Sequence, residues 1–170
     1  MYMTQCLQRT LQQDPEHLAT IFGERRHTYR EFGERVARLA GALQTLGLAA
    51  GDRVGMLALN SDRYLEYIMG VWWGGGVLNP VNVRWSVPEI VYSLDDCSTA
   101  ILIVDEHFAA LADDIRKTAR HAPRFIYAGE GEVPVGMLGF EQLIAQTAPI
   151  EDAGRGGEDL ACIMFTGGTT

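Results

Sequence analysis

At 170 residues, with 47% hydrophobic and 21% charged side chains, the chain carries enough apolar material for one packed domain, which excludes a disordered polypeptide. Its net charge of −8, with no long basic run, argues against a nucleic-acid partner. Three scattered cysteines, Cys6, Cys97 and Cys162, exclude a disulfide framework and fit a reducing cytoplasm.

In chain order, the first 17 residues contain no apolar signal-peptide centre. Two short β-prone runs around Gly23-Glu24 in LATIFGERRHTY predict a hairpin. In TYREFGERVARLAGALQTLG, Thr28 and Glu31 form a capping box, and Phe32, Val36, Leu39, Leu43 and Leu46 recur at helical spacing up to Gly47. That predicts a helix over 29–46. RVGMLAL predicts a strand over 53–59, and Tyr64, Ile68, Val71 and Trp72 mark one face of a helix over 62–74. The long uncharged stretch 67–83 is broken by Asn79, Pro80, Asn82 and four glycines, so it reads as core and not as a membrane span. VLNP predicts a strand over 77–80. Ser86 and Glu89 form a second capping box, with Pro88 in the first turn of a helix over 87–96. AILIVD and RFIYAG predict strands over 100–104 and 124–128, with an amphipathic helix over 106–120 between them whose charged face meets solvent. GFEQLIAQT predicts a short helix, APIEDAGRGGED a polar loop, and LACIMF a strand over 160–166 that starts a second sheet. Strands that are continuous apolar runs, alternating with helices, give an α/β fold of parallel strands flanked by helices with an N-terminal β-hairpin.

Chemistry concentrates at Thr166-Gly167-Gly168-Thr169-Thr170. A buried strand opening into this run presents successive backbone N–H groups, hydroxyl donors and glycines that allow close approach to an anion. From local composition, a phosphate cradle and an ordinary Gly-rich turn both stand open; the lysine of a Walker A loop is absent. Trp72-Trp73 before Gly74-Gly75-Gly76 reads as packing ahead of a ligand wall. Arg84, at a strand end, reads first as an exposed loop arginine and second as a partner for a phosphate. Nothing spaces His, Cys, Asp and Glu as a metal cage, and the four histidines stand apart.

DLACIMFTGGTT resembles the start of the phosphate-binding signature of the adenylate-forming superfamily, which contains acyl-CoA synthetases, luciferases and peptide-synthetase adenylation domains. GDRVGMLALNSDRYLEYIMGVWWGGGVLNPVNVRWSVPEIVYSLDDCSTAILIVDE is similar to that family's N-terminal region in order and spacing, and TYREFGERVARLAGAL resembles the preceding helix. The resemblance implies that residues 1–170 are the N-terminal part of the large AMP-binding domain, ending within its phosphate loop, about a third of a whole enzyme. It implies an AMP-forming ligase that activates a small-molecule carboxylic acid, a fatty acid first, as an acyl-adenylate and transfers it to coenzyme A. ATP, Mg²⁺ and coenzyme A are the implied cofactors. Thr166, Gly167, Gly168, Thr169 and Thr170 would hold ATP phosphates, and Arg84 coenzyme A. Phe165 stands where the family often has Tyr. The implied catalytic and metal-binding residues fall after Thr170, so these 170 residues alone are expected to be inactive. Cys162, Met164 and Phe165 are expected on exposed apolar surface, which favours self-association. Three other readings stay open: an adenylate former that loads a carrier protein, a non-catalytic flavodoxin-like phosphate-binding domain, and a catalytically dead fragment that merely folds.

Overall fold

A computed structural model describes residues 1–165. The N-terminal part holds α1 (Gln5–Gln13), the hairpin β1 (Leu18–Phe22) and β2 (Arg25–Thr28), and α2 (Tyr29–Thr45). The alternating region holds β3 (Arg53–Leu57), α3 (Asp62–Trp73), β4 (Val77–Pro80), α4 (Val87–Asp96), β5 (Ile101–Val104), α5 (Ala112–Thr118), β6 (Arg124–Tyr127), β7 (Leu138–Gly139) and α6 (Phe140–Gln146). β1 and β2 pair antiparallel as a separate two-stranded sheet. The other five strands form one parallel sheet in the order β4-β3-β5-β6-β7.

The apolar strands are continuous because both faces of the sheet are covered. On β3 and β5, Val54, Met56, Ile101 and Ile103 face a core built with Leu39, Leu43, Tyr67 and Phe140 of α2, α3 and α6. Leu57, Leu102 and Val104 face the other way, onto Ile90, Leu94 and Ile115 of α4 and α5. Both capping boxes form. The Thr28 N–H donates to Glu31 Oε2 at 2.8 Å, and the Ser86 N–H donates to Glu89 Oε2 at 2.8 Å. Gly47 takes φ +97° just beyond α2, a left-handed conformation that ends the helix at little cost to glycine.

Two expectations change. The helix expected over 106–120 is a 3₁₀ turn, Ala109–Leu111, followed by α5, and it buries Ala112 and Ile115. The strand expected over 160–166 starts no second sheet among the described residues: Cys162 pairs in parallel with Leu78, adding a bridge outside β4. α1 and β7 are unanticipated.

Residues 148–161 form an irregular strap that returns the chain from α6 to the β4 edge. It crosses α2 so closely that a Cβ on Gly41 would lie 2.8 Å from the Ala148 carbonyl oxygen. The indoles of Trp73 and Trp72 donate to the carbonyls of Ile150 and Ala161, each at 2.9 Å, so both tryptophans serve packing and the strap. The strap is also tied to α1: Asp152 accepts from the side chains of Thr4 and Gln8, and the Met3 N–H donates to the Arg155 carbonyl at 2.9 Å. No helix among the described residues is long and apolar enough to cross a membrane.

Candidate functional site at the carboxyl edge of the sheet

In an open parallel sheet, ligands meet the chain where it leaves the carboxyl ends of the strands. The order β4-β3-β5-β6-β7 puts a switch of direction between β3 and β5, where a flavodoxin-like domain would hold a phosphate. Here that crevice holds Asp105. The residue is 8% exposed, and its carboxylate accepts the Leu59 N–H at 2.8 Å and the His107 N–H at 3.0 Å. A carboxylate spanning the loops after β3 and β5 occupies two backbone donors there and disfavours an anion beside it.

The other exit lies beside β4. The Leu78 N–H donates to the Ala161 carbonyl at 3.1 Å, and the Ile163 N–H donates to the Leu78 carbonyl at 2.8 Å. This parallel pairing directs the chain after Ile163 toward the edge where Asn82–Trp85 leave β4. The Phe165 ring stands edge-on to Trp85, 6.1 Å between centroids, and to Tyr92, 6.2 Å away. Arg84 is exposed on the same exit, its backbone N–H held by Asn82 Oδ1 at 3.0 Å. Of the three side chains expected on exposed surface, only Met164 is so, at 72%. Cys162 packs on the core, and Phe165 is half-buried by its aromatic neighbours. Thr166, Gly167, Gly168, Thr169 and Thr170 lie outside the described residues.

Two buried polar groups tie β3 and β4 together behind this exit. The Tyr67 hydroxyl donates to the Val54 carbonyl at 2.8 Å and accepts the Asn79 N–H at 3.1 Å; burial pushes its pKa well above the ordinary range. Asn79 Nδ2 donates to Thr99 Oγ1 at 2.9 Å.

A charged network that no sequence signal disclosed runs along the α2–α3–α6 side. Arg35 forks onto Glu66 at 2.6 and 3.0 Å and onto Glu141 at 2.9 and 3.0 Å. Arg63, 7% exposed in its side chain, reaches Glu141 at 2.9 Å, the Ala128 carbonyl at 2.9 Å and Glu130 at 3.0 Å. Arg25 forks onto Asp62, at 2.7 Å twice, and pairs with Glu130. Burial pushes the Glu66 carboxyl above its usual range despite Arg35. Burial acts the same way on Asp62 and Glu141, but the arginine forks prevail and hold both below theirs. Every carboxylate here has a guanidinium partner, so the network acts as a structural clamp. Among the described residues no group of three His, Cys, Asp or Glu side chains could hold a metal ion.

Residues 7–170 match the family model described as AMP-binding enzyme. A long-chain-fatty-acid–CoA ligase of Thermus thermophilus is 34% identical over 168 residues, covering 91% of this chain and 30% of its own length. A fatty acid–[acyl-carrier-protein] ligase of Streptomyces coeruleorubidus is 35% identical across 60% of this chain and 20% of its own. Among solved structures, an anthranilate CoA ligase in complex with anthranoyl-AMP superposes with a TM-score of 0.93 at 27% identity, covering all of this chain and 33% of that one. The chain thus spans about a third or less of the length of these relatives.

Proposed function

The chain belongs to the AMP-binding enzyme family, and on that premise we propose that the complete protein is an ATP-dependent, AMP-forming ligase joining a carboxylic acid to coenzyme A. A carboxylate oxygen attacks the α-phosphorus of ATP, pyrophosphate leaves, and the coenzyme A thiol then displaces AMP from the acyl carbon. The observation that carries this reading is the docking of residues 161–163 along β4. It directs the chain after Ile163 toward the sheet's carboxyl edge, the exit that Arg84 shares. In this reading the backbone N–H groups and hydroxyls of Thr166, Gly167, Gly168, Thr169 and Thr170 hold the phosphates while negative charge builds on them. Arg84 takes a phosphate of coenzyme A. Mg²⁺ belongs to the proposed reaction as the counter-charge to the polyphosphate, and no described residue is assigned as its ligand.

A fatty acid is the first substrate class, supported by the similarity to the Thermus long-chain ligase. Transfer of the acyl group to a carrier protein is the second reading, favoured by the similarity to the carrier-protein ligase. Asp105 in the switch crevice counts against a flavodoxin-like phosphate site.

The test is carboxylate-dependent ATP–pyrophosphate exchange by the complete protein across fatty and aromatic acids. Exchange is expected, and Gly168→Val is expected to abolish it, because a side chain there blocks backbone approach to phosphate. Arg84→Ala is expected to raise KM for coenzyme A roughly threefold to tenfold while leaving exchange intact. Residues 1–170 alone are expected to show no exchange. Absence of exchange across the panel by the complete protein, or robust exchange by Gly168→Val, would sink the reading.

A further inference from the structure

The β1–β2 hairpin lies outside the parallel sheet, and a lone two-stranded hairpin is marginal in water. It also buries very little. Leu18, Ile21 and Phe22 are exposed, Thr20 alone is buried on β1, and nothing on β2 is buried. Ala19 packs against the small cluster of Leu7, Phe32 and Val36, and beside it Ala19 and Thr20 line a cavity of about 210 Å³ that Phe32 of α2 and Leu65, Ile68 and Met69 of α3 also wall. Hydrophobic burial therefore holds this element weakly, and its firmest tie is ionic. Arg25 forks onto Asp62, whose side chain is 2% exposed, and reaches Glu130 in the loop after β6, with the Phe22 ring 5.2 Å from its guanidinium carbon. At the opposite end, the Tyr29 N–H donates to the His17 carbonyl and the Arg30 N–H to the Pro15 carbonyl, so that end is a hinge made of backbone.

We propose that the β1–β2 hairpin is an electrostatically latched lid over the cavity between α1, α2 and α3, with Arg25 as the latch. Release of Arg25 from Asp62 and Glu130 leaves the hairpin held by the backbone at residues 15–17 and 29–30 and by the small contact of Ala19 and Thr20. It then swings away without disturbing the sheet, and bares Phe32, Ile68 and Met69 beside Leu65, which is already exposed. Opening is local, because the strands at 53–57, 101–104 and 124–127 share no hydrogen-bond ladder with the hairpin.

Hydrogen exchange of the complete protein, read by mass spectrometry on peptides covering 18–28 and the three core strands, tests this. Arg25→Met is expected to speed exchange over 18–28 by about a hundredfold and leave the core strands unchanged. Raising salt from about 0.1 M to about 1 M, which shortens the screening length from about 10 Å to about 3 Å, is expected to speed hairpin exchange of the unaltered protein severalfold. Arg30→Met, which removes only the exposed Arg30–Glu16 pair, is expected to change nothing over 18–28. Unchanged hairpin protection in Arg25→Met overturns the proposal. If that variant loses protection throughout the chain, the salt series decides: a rise confined to 18–28 upholds the lid, and a uniform rise or none overturns it.

Discussion

Replacing Arg35 with methionine keeps the length of the side chain and removes its charge. The Glu66 carboxylate, with no exposed surface, then loses both of its arginine hydrogen bonds. Leaving one member of a buried pair uncompensated costs about 3–5 kcal/mol. For a chain of this size, that lowers Tm by roughly 6–20 °C. Glu141 is damaged less, because Arg63 still holds it. The double variant Arg35→Met/Glu66→Leu removes the stranded charge as well and is expected to recover most of the loss, since apolar replacement of a buried pair is close to neutral. The sign with pH follows from Glu66. Its folded pKa is raised by burial, so its contribution favours the native state below the unfolded carboxylate range and is lost as pH rises through the folded value. Without Arg35 that pKa rises further. The stability gap between the unaltered and Arg35→Met proteins is therefore expected to narrow as pH falls from about 8 to about 5. Urea unfolding followed by circular dichroism measures both effects. A single-variant loss below about 1 kcal/mol, the size of a surface pair, would refute the account of the network, as would a double variant no more stable than the single one.

Tyr67→Phe strands the Val54 carbonyl and the Asn79 N–H in the core and is expected to cost about 1–3 kcal/mol by urea unfolding. Gly41→Ala drives a Cβ against the Ala148 backbone and is expected to cost about 1–3 kcal/mol, with raised proteolysis within 148–160. Asp62 and Glu141 have depressed folded pKa values, so they stabilise above the unfolded carboxylate range and are expected to lose that contribution as pH falls below it. Asp62→Asn and Glu141→Gln should each flatten the acid limb of stability against pH.

The parallel core was legible because its strands are buried on both faces and so read as unbroken apolar runs. RVGML, ILIV and RFIY are strands within a residue or two of the expected limits. The Thr28–Glu31 and Ser86–Glu89 boxes marked helix starts because capping is a contact three residues long. α1 escaped notice because QCLQRTLQQ buries only Leu7 and takes its anchor from Asp152, far along the chain. The ion network escaped for the same reason: Arg35 and Glu66 are 31 residues apart, and Arg35 and Glu141 are 106 apart. LACIMF was legible as an apolar run, but its partner was not, since local pattern carries no information on which sheet a strand joins. Of the candidate site, the sequence put forward Arg84 and the terminal motif, which lies outside the described residues. Only the structure disclosed Phe165 between Trp85 and Tyr92, and Asp105 across the switch crevice.

The strap over 148–161 also sets an order of events during synthesis. Thr4 meets Asp152 across a separation of 148 residues, and Gln8 meets it across 144. At about 5–20 residues per second, a ribosome leaves α1 without that partner for roughly 7–30 s. The β3–β6 layer needs only shorter loops to close and can assemble within that interval. α1 and the strap then lock together after that layer, and in doing so fix Ala161 and Cys162 against Leu78. The segment that leads to the proposed phosphate loop is thereby registered after the β3–β6 layer has closed, by a helix made before it.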